Sequence, residues 1–98
     1  MKLLQYRGPF NSGEEIANIR PDLNVTYVQV GVQFPKAPPL QWRTSMAPDI
    51  EINGKTYLIN DPWILEFDGF TFTSFNIIAR RDLPEDCIID VLMNERSE

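Results

Sequence analysis

Two pairs of acidic residues have the types and the spacing that could carry acid–base chemistry. The first pair is Asp49 and Glu51, and the second is Glu66 and Asp68. Residues two apart on a strand point to the same face, so the carboxylates of each pair would be neighbours, as glycoside hydrolysis requires. Both pairs also lie beside predicted turns, where acidic residues mainly keep the edge of a sheet soluble. We therefore expect both pairs to be structural and the protein not to be an enzyme.

A third acidic group could bind a metal ion. It consists of Asp82, Glu85, Asp86 and Asp90. Clustered carboxylate oxygens are the ligands that calcium prefers. The spacing matches no ion-binding loop, however, and the adjacent Arg80 and Arg81 would neutralise the negative charge. We expect neither a metal nor another cofactor.

The rarest residue types exclude several other chemistries. The chain has no histidine, which removes most catalytic triads, most zinc sites and the commonest general base. Its one cysteine, Cys87, cannot form an internal disulfide. Because Cys87 lies in an apolar strand pattern, we expect it to be a small residue of the core rather than a reactive thiol.

The charge balance bears on partners and location. The 98 residues include 14 acidic and 9 basic ones, which gives a net charge of −5. Binding to phosphates depends on the number of cations that a surface presents, so we expect no nucleic-acid partner. The apolar runs are far shorter than the roughly 20 residues of a membrane helix. No apolar stretch of signal-peptide length follows Lys2, so we expect a cytoplasmic or virion location without export or membrane contact.

The stretch 62–79 carries the strongest local signal, because Asp68–Gly69 lies between alternating large apolar residues. Asp-Gly favours a two-residue type I′ turn, in which both residues have a positive φ. The pattern predicts a central hairpin with Phe67 opposite Phe70 and with Phe72 in the core. Beyond it, the apolar alternation changes phase, which predicts a one-residue bulge at Thr73–Ser74.

The remaining strands are predicted from turn signals and from the alternation of apolar and polar residues. Asn53–Gly54 predicts a second two-residue hairpin, in which Ile50 pairs with Tyr57 and Ile52 with Lys55. Further strands are predicted at 2–7, 24–34 and 87–93. In the second of these, Val30 belongs to the buried set, and a change of phase indicates either a bulge near Tyr27 or a strand that begins against a different neighbour.

One short helix is predicted near residues 13–20. Ser12 and Glu15 have the spacing of a capping box, and Ile16 and Ile19 are one helical step apart. Together the signals predict an all-β fold, a small antiparallel β-sandwich or flattened barrel of about seven strands with this one helix. Residues 1–98 are expected to form a single domain that ends in a polar tail at 94–98.

A proline-rich loop at 35–48 is the candidate binding segment. Its prolines exclude it from the sheet, and it contains Leu40, Trp42 and Arg43. Tryptophan and arginine dominate many binding interfaces, so we expect these three residues to contact a partner. The alternative is that Trp42 folds back across the protein's own core.

The function predicted from these features is a non-enzymatic structural or assembly module that acts through protein–protein contacts. We expect protein partners or self-assembly into a homo-oligomer. The general character is similar to that of small β modules in large assemblies, and a bacteriophage virion component (a capsid-decoration, tail or baseplate protein) is the favoured instance. A carbohydrate-binding β-sandwich, with an exposed Trp42 or Trp63 stacked on a sugar, is the alternative. A third hypothesis is an acidic inhibitor that occupies a basic nucleic-acid site.

Overall fold

A computed structural model describes residues 2–20, 24–33, 48–59, 63–72 and 74–96. These residues form eight strands and no helix, and accordingly none of them belongs to a helix long and apolar enough to cross a membrane. The strands are β1 (Lys2–Arg7), β2 (Glu15–Ile19), β3 (Asn24–Gln33), β4 (Ile50–Ile52), β5 (Lys55–Tyr57), β6 (Trp63–Phe72), β7 (Phe75–Ala79) and β8 (Ile88–Arg96).

The strands make two four-stranded antiparallel sheets, which confirms the all-β, sandwich-like prediction. The first sheet has the order β1-β8-β3-β6, and the second has the order β2-β7-β4-β5. The number of strands is eight rather than about seven. Residues 94–96 of the expected polar tail belong to β8, which continues to Arg96.

Both sheets contribute to one hydrophobic cluster, with alternate residues pointing inward as the two-residue period of a strand requires. Val30 is completely buried, which confirms its predicted place in the core. The rings of Phe67 on β6 and Phe75 on β7 meet edge to face, with their centroids 5.6 Å apart. This contact joins the first sheet to the second.

The helix predicted near residues 13–20 is wrong, because this segment forms a turn followed by β2. The Glu14 N–H donates to the carbonyl of Asn11 over 2.9 Å, and Gly13 in this turn has a φ of 88°. A positive φ at the third residue of a four-residue turn is the type II geometry that glycine permits. The supposed capping sequence is therefore a β-turn.

A register shift explains why the apolar residues of β2 have the spacing of a helix. The ladder between β2 and β7 is interrupted between Glu15 and Ala17, so Ile16 occupies an irregular position. As a result Ile16 and Ile19 are both buried, although residues three apart on a regular strand point to opposite faces. Two isoleucines on one side at that spacing have the appearance of a helical turn.

The central hairpin at Asp68–Gly69 is also wrong, and so is the predicted facing of Phe67 and Phe70. β6 runs through this dipeptide and pairs with β3 from Trp63 to Phe72. Its regular ladder ends at Asp68, opposite Tyr27, and the next paired residue is Phe72. Residues 69–71 of β6 therefore lie opposite the single residue Thr26, which is a bulge. The bulge predicted near Tyr27 is confirmed.

The predicted hairpin at Asn53–Gly54 is confirmed. Ile50 pairs with Tyr57 and Ile52 with Lys55, in the expected register. The φ angles of Asn53 and Gly54 are 49° and 87°, as a type I′ turn requires.

The change of phase after Phe72 has a different cause from the predicted bulge at Thr73–Ser74. β6 ends at Phe72 in the first sheet, and β7 begins at Phe75 in the second sheet. The chain therefore changes sheets at this point, and the apolar residues before and after it follow different alternations.

Candidate interaction surface

The residues expected to bind a partner, Leu40, Trp42 and Arg43, lie outside the described residues, as does most of the 35–48 loop that carries them. The same holds for the predicted burial of the Phe72 side chain. Trp63 begins β6 opposite Val32. The surface that can be described is the solvent-facing side of the first sheet, together with its two edges.

The solvent-facing side of the first sheet, called here the outer face, consists of rows that cross all four strands. Its two central rows, read from the ladder partners in the order β1-β8-β3-β6, are Leu3, Leu92, Gln29 and Glu66, then Gln5, Asp90, Gly31 and Ile64. The residues of these rows are exposed or half-buried. Alternation with the buried valines of β3 assigns them to the side away from the core.

A carboxylate on this face joins three strands. Asp90 of β8 accepts hydrogen bonds from Gln5 of β1 (Nε2 to Oδ1, 2.9 Å) and from Gln33 of β3 (Nε2 to Oδ2, 3.0 Å). Gly31 lies in the same row as Asp90, and a Cβ at this position would meet no atom within 4 Å. The centre of the outer face is therefore flat, polar and open.

The half-buried side chain of Tyr27 lies near the acidic residues of β6. The Tyr27 hydroxyl donates to Oε1 of Gln29 over 3.0 Å. Burial raises the pKa of Tyr27 above its usual range, and the nearby Glu66 and Asp68 carboxylates raise it further, because tyrosinate would be buried beside negative charge. This corner of the face thus favours neutral tyrosine and repels anions.

The two edges of this sheet, β1 and β6, are similar in accessibility and opposite in charge. Within the described part of the chain, each strand has a ladder on one side only. Leu3 on β1 is 61% exposed and Ile64 on β6 is 62% exposed. The sequence of β1 contains Lys2 and Arg7 and no acid, whereas that of β6 contains two acids and no base.

The acidic residues 49 and 51 have structural partners. Asp49 is 4% exposed, and its Oδ1 lies 2.8 Å from Nε of Arg81. Its Oδ2 accepts the N–H of Ile59 over 2.7 Å. Glu51 forms a longer ion pair, 3.6 Å, with Arg80. Both carboxylates are thus engaged by arginines where the β4–β5 hairpin meets the chain after β7.

The acidic residues near the C-terminal end are dispersed rather than clustered. Oδ1 of Asp82 accepts the N–H of Ser12 over 2.8 Å, while Asp90 is engaged by the two glutamine amides. Nowhere in the described ranges do three potential metal ligands form a group. The calcium hypothesis therefore gains no support from the arrangement of these residues.

Cys87 is completely buried, as expected of a core residue. Burial raises the pKa of its thiol to about 12, with a smaller contribution from the negative charge of Asp86. A thiol with this pKa has very little thiolate at neutral pH, and the thiolate is the reactive form.

A shallow depression of about 360 Å³ lies beside β5 and is lined by Pro48, Thr56, Tyr57 and Leu58. Lys55 Nζ lies 5.6 Å from the centre of the Tyr57 ring, at a cation–π distance. Leu58 is 38% exposed. None of these four described residues carries a carboxylate, a thiol or an imidazole.

No protein-family model matches this chain, and neither the curated proteins nor the solved structures contain a match. The function is therefore argued from the two edges and the outer face. Sequence analysis missed the edges, although their charges are readable in residues 2–7 and 63–72. The signal that was lacking is topological, since only the strand order places these two segments at opposite ends of one sheet.

Proposed function

We propose that this protein is a non-enzymatic assembly module that acts through protein–protein contacts made by the first sheet. The carrying observation is that β1 and β6 are both edge strands of this sheet and that each exposes a large aliphatic side chain. An edge strand presents unpaired N–H and C=O groups, which are a template for a strand of another chain. A bacteriophage virion component remains the favoured instance of such a module, with self-assembly into a homo-oligomer as its mode of action.

The limited protection of these edges supports this proposal. Natural sheets commonly block their edges with bulges, prolines, inward-pointing charges or charged side chains. β1 pairs in regular register over all six residues, and β6 has its bulge only beyond Asp68. Neither regular stretch contains a proline. Both stretches carry exposed charges instead, so each is open to a strand of opposite charge and protected against one of like charge.

The engagement of the carboxylates also favours contact over catalysis. A general acid or base must be able to exchange a proton with a substrate. Asp49 and Glu51 face arginines, and both oxygens of Asp90 accept glutamine amides. These acids hold strands and turns together.

The test is the native mass at micromolar concentration, measured by light scattering after gel filtration. We expect a mass above the 11.3 kDa of one chain. The double variant Leu3→Ser/Ile64→Ser should have a lower mass, because both edges lose their exposed aliphatic group. Leu58→Ser is the matched control, since Leu58 is exposed just after β5 and outside the first sheet, and it should assemble normally. A wild-type protein that stays monomeric throughout this range contradicts the proposal.

A carbohydrate-binding module is the second candidate, and the centre of the outer face is the observation that favours it. Side-chain amides and a carboxylate surround the bare Gly31, and such groups can hydrogen-bond sugar hydroxyls. A glycan array tests this directly. Binding that is lost in Asp90→Ala and kept in Asp82→Ala supports the module, and an array without any bound glycan removes it.

A further inference from the structure

We infer that β1 of one copy pairs with β6 of the next copy in antiparallel orientation, so that the first sheet continues from copy to copy. This inference rests on the proposed function and names the two surfaces that meet. The occupant of each edge is thus a second copy of this chain. The argument has three parts, namely strand direction, the two faces of the sheet, and charge.

Strand direction permits the pairing. All three ladders of the first sheet are antiparallel, so β1 and β6 run in opposite directions. Adding β1 of a second copy beside β6 therefore keeps the alternation of the sheet. The regular stretches are of equal length, six residues in Lys2–Arg7 and six in Trp63–Asp68, so an in-phase pairing offset by one residue still joins five residues of each. At about 3.4 Å per residue each is about 20 Å long.

The faces of the two edges match as well. One row of the core side runs Leu4, Val91, Val30 and Leu65 across the sheet. Leu4 and Leu65, at the two ends of this row, are half-buried and pack against the core. In a continued sheet Leu65 would lie on the same face as Leu4 of the next copy. The apolar side of one copy would thus continue into the apolar side of the next, which fixes the two-residue phase of the pairing.

Charge selects this pairing over the pairing of identical edges. β1 brings Lys2 and Arg7, and β6 brings Glu66 and Asp68, all of them exposed. Arg7 lies on the outer face with both acids, and Lys2 lies on the core side. Two β1 edges would both be cationic and two β6 edges would both be acidic, so only β1 with β6 joins edges of opposite charge. The contact is therefore head-to-tail, and assembly does not stop at a dimer.

The test uses two charge-reversed proteins, Lys2→Glu/Arg7→Glu and Glu66→Lys/Asp68→Lys. Each alone gives both edges the same sign of charge, so we expect its self-association to weaken by at least about tenfold. In an equimolar mixture every contact between the two variants again unites opposite charges. The mixture should therefore recover wild-type assembly, including species larger than a dimer.

Controls separate loss of contact from loss of fold. Arg20→Glu/Lys55→Glu makes the same change in net charge as Lys2→Glu/Arg7→Glu, at exposed positions outside the two edges of the first sheet. This control should assemble like the wild type. Circular dichroism and thermal melting report whether each variant folds. If a double variant does not fold, the single changes Arg7→Glu and Asp68→Lys replace it, with the same recovery expected on mixing.

The outcomes also distinguish this inference from the proposed function. Pairing of identical edges keeps like charges opposed after reversal, so either variant would then assemble normally alone, and the inference falls while self-assembly stands. A mixture that fails to recover likewise overturns the β1–β6 contact. A wild-type protein that is monomeric under all conditions overturns the proposed function itself.

Discussion

Two regions of this molecule, residues 48–57 and 63–72, contain the same ingredients and use them differently. Each has two acids spaced two apart and an Asx-Gly dipeptide. In the first region the dipeptide begins two residues after the second acid, and in the second region its Asp is itself the second acid. In the first region the dipeptide turns the chain, and the acids are engaged by arginines. In the second region the strand continues through the dipeptide without reversing direction, and the acids are exposed to solvent at an edge of the sheet.

The neighbouring strands account for this difference. β4 and β5 have three residues each. β4 pairs with β7 only from Ile50 to Ile52, and the chain reverses direction directly after Ile52. β6 instead lies beside the ten-residue β3, which pairs with it up to Asp68 and again at Phe72. Each added ladder bond favours extension, and the turn preference of Asp-Gly is local and weaker. The same dipeptide therefore becomes a turn in one region and the start of a bulge in the other.

The largest expected effect contrasts the buried acid with the exposed one. Asp49→Ala should lower the free energy of unfolding by about 3 kcal/mol, because it removes a buried ion pair and the acceptor of a backbone N–H. Asp68→Ala should change it by less than about 0.5 kcal/mol, since Asp68 is exposed. Urea denaturation of both variants measures the difference. Equal losses at the two positions would contradict the roles assigned to the two regions.

A smaller effect is expected at the turn itself. Gly54 has a φ of 87°, a conformation that a β-branched residue adopts only with strain, so Gly54→Val should cost more than about 1 kcal/mol. Gly31→Val is the matched control, because Gly31 lies within β3 and has open space around it. Valine there should be neutral or slightly stabilising. Thermal melting that ranks the two variants in the reverse order would show that the hairpin does not depend on this turn.

Sequence reasoning succeeded where local signals agree with the neighbouring strands. The alternation of β3, the burial of Val30 and the register of the Asn53–Gly54 hairpin were all predictable. In these segments the alternation extends over many residues or the turn is tight, and the neighbouring strands are compatible with both. Cys87 was predictable for the same reason, because it directly precedes an alternating strand.

The errors arose where one residue interrupts a strand or where the chain changes sheets. The irregular position of Ile16 gave the apolar residues of β2 a helical spacing. The Asp68–Gly69 dipeptide, which favours a turn, instead leads into the bulge opposite Thr26. The interaction surface was missed for a related reason. Lys2 and Glu66 become the charges of two open edges only through the strand order β1-β8-β3-β6, which no local pattern contains.

The smallest effect concerns the exposed acids of β6 and their neighbour Tyr27. Burial, followed by the negative charges of Glu66 and Asp68, holds the pKa of the Tyr27 phenol above its usual value of about 10. Glu66→Gln should lower this pKa toward the usual value without restoring it fully, because burial is the larger cause. The Tyr27 ring carbon bonded to oxygen reports the titration in NMR spectra.

The direction of the pH dependence follows from the raised pKa. A phenol that holds its proton more tightly in the folded state stabilises that state below the unfolded pKa, and this stabilisation is lost as the pH rises through the folded pKa. The wild type should therefore lose stability above about pH 10, and Glu66→Gln should lose less over the same interval. An unchanged Tyr27 pKa in Glu66→Gln would show that the exposed acid does not act on its neighbour. The electrostatic difference between the two regions would then be confined to the buried Asp49.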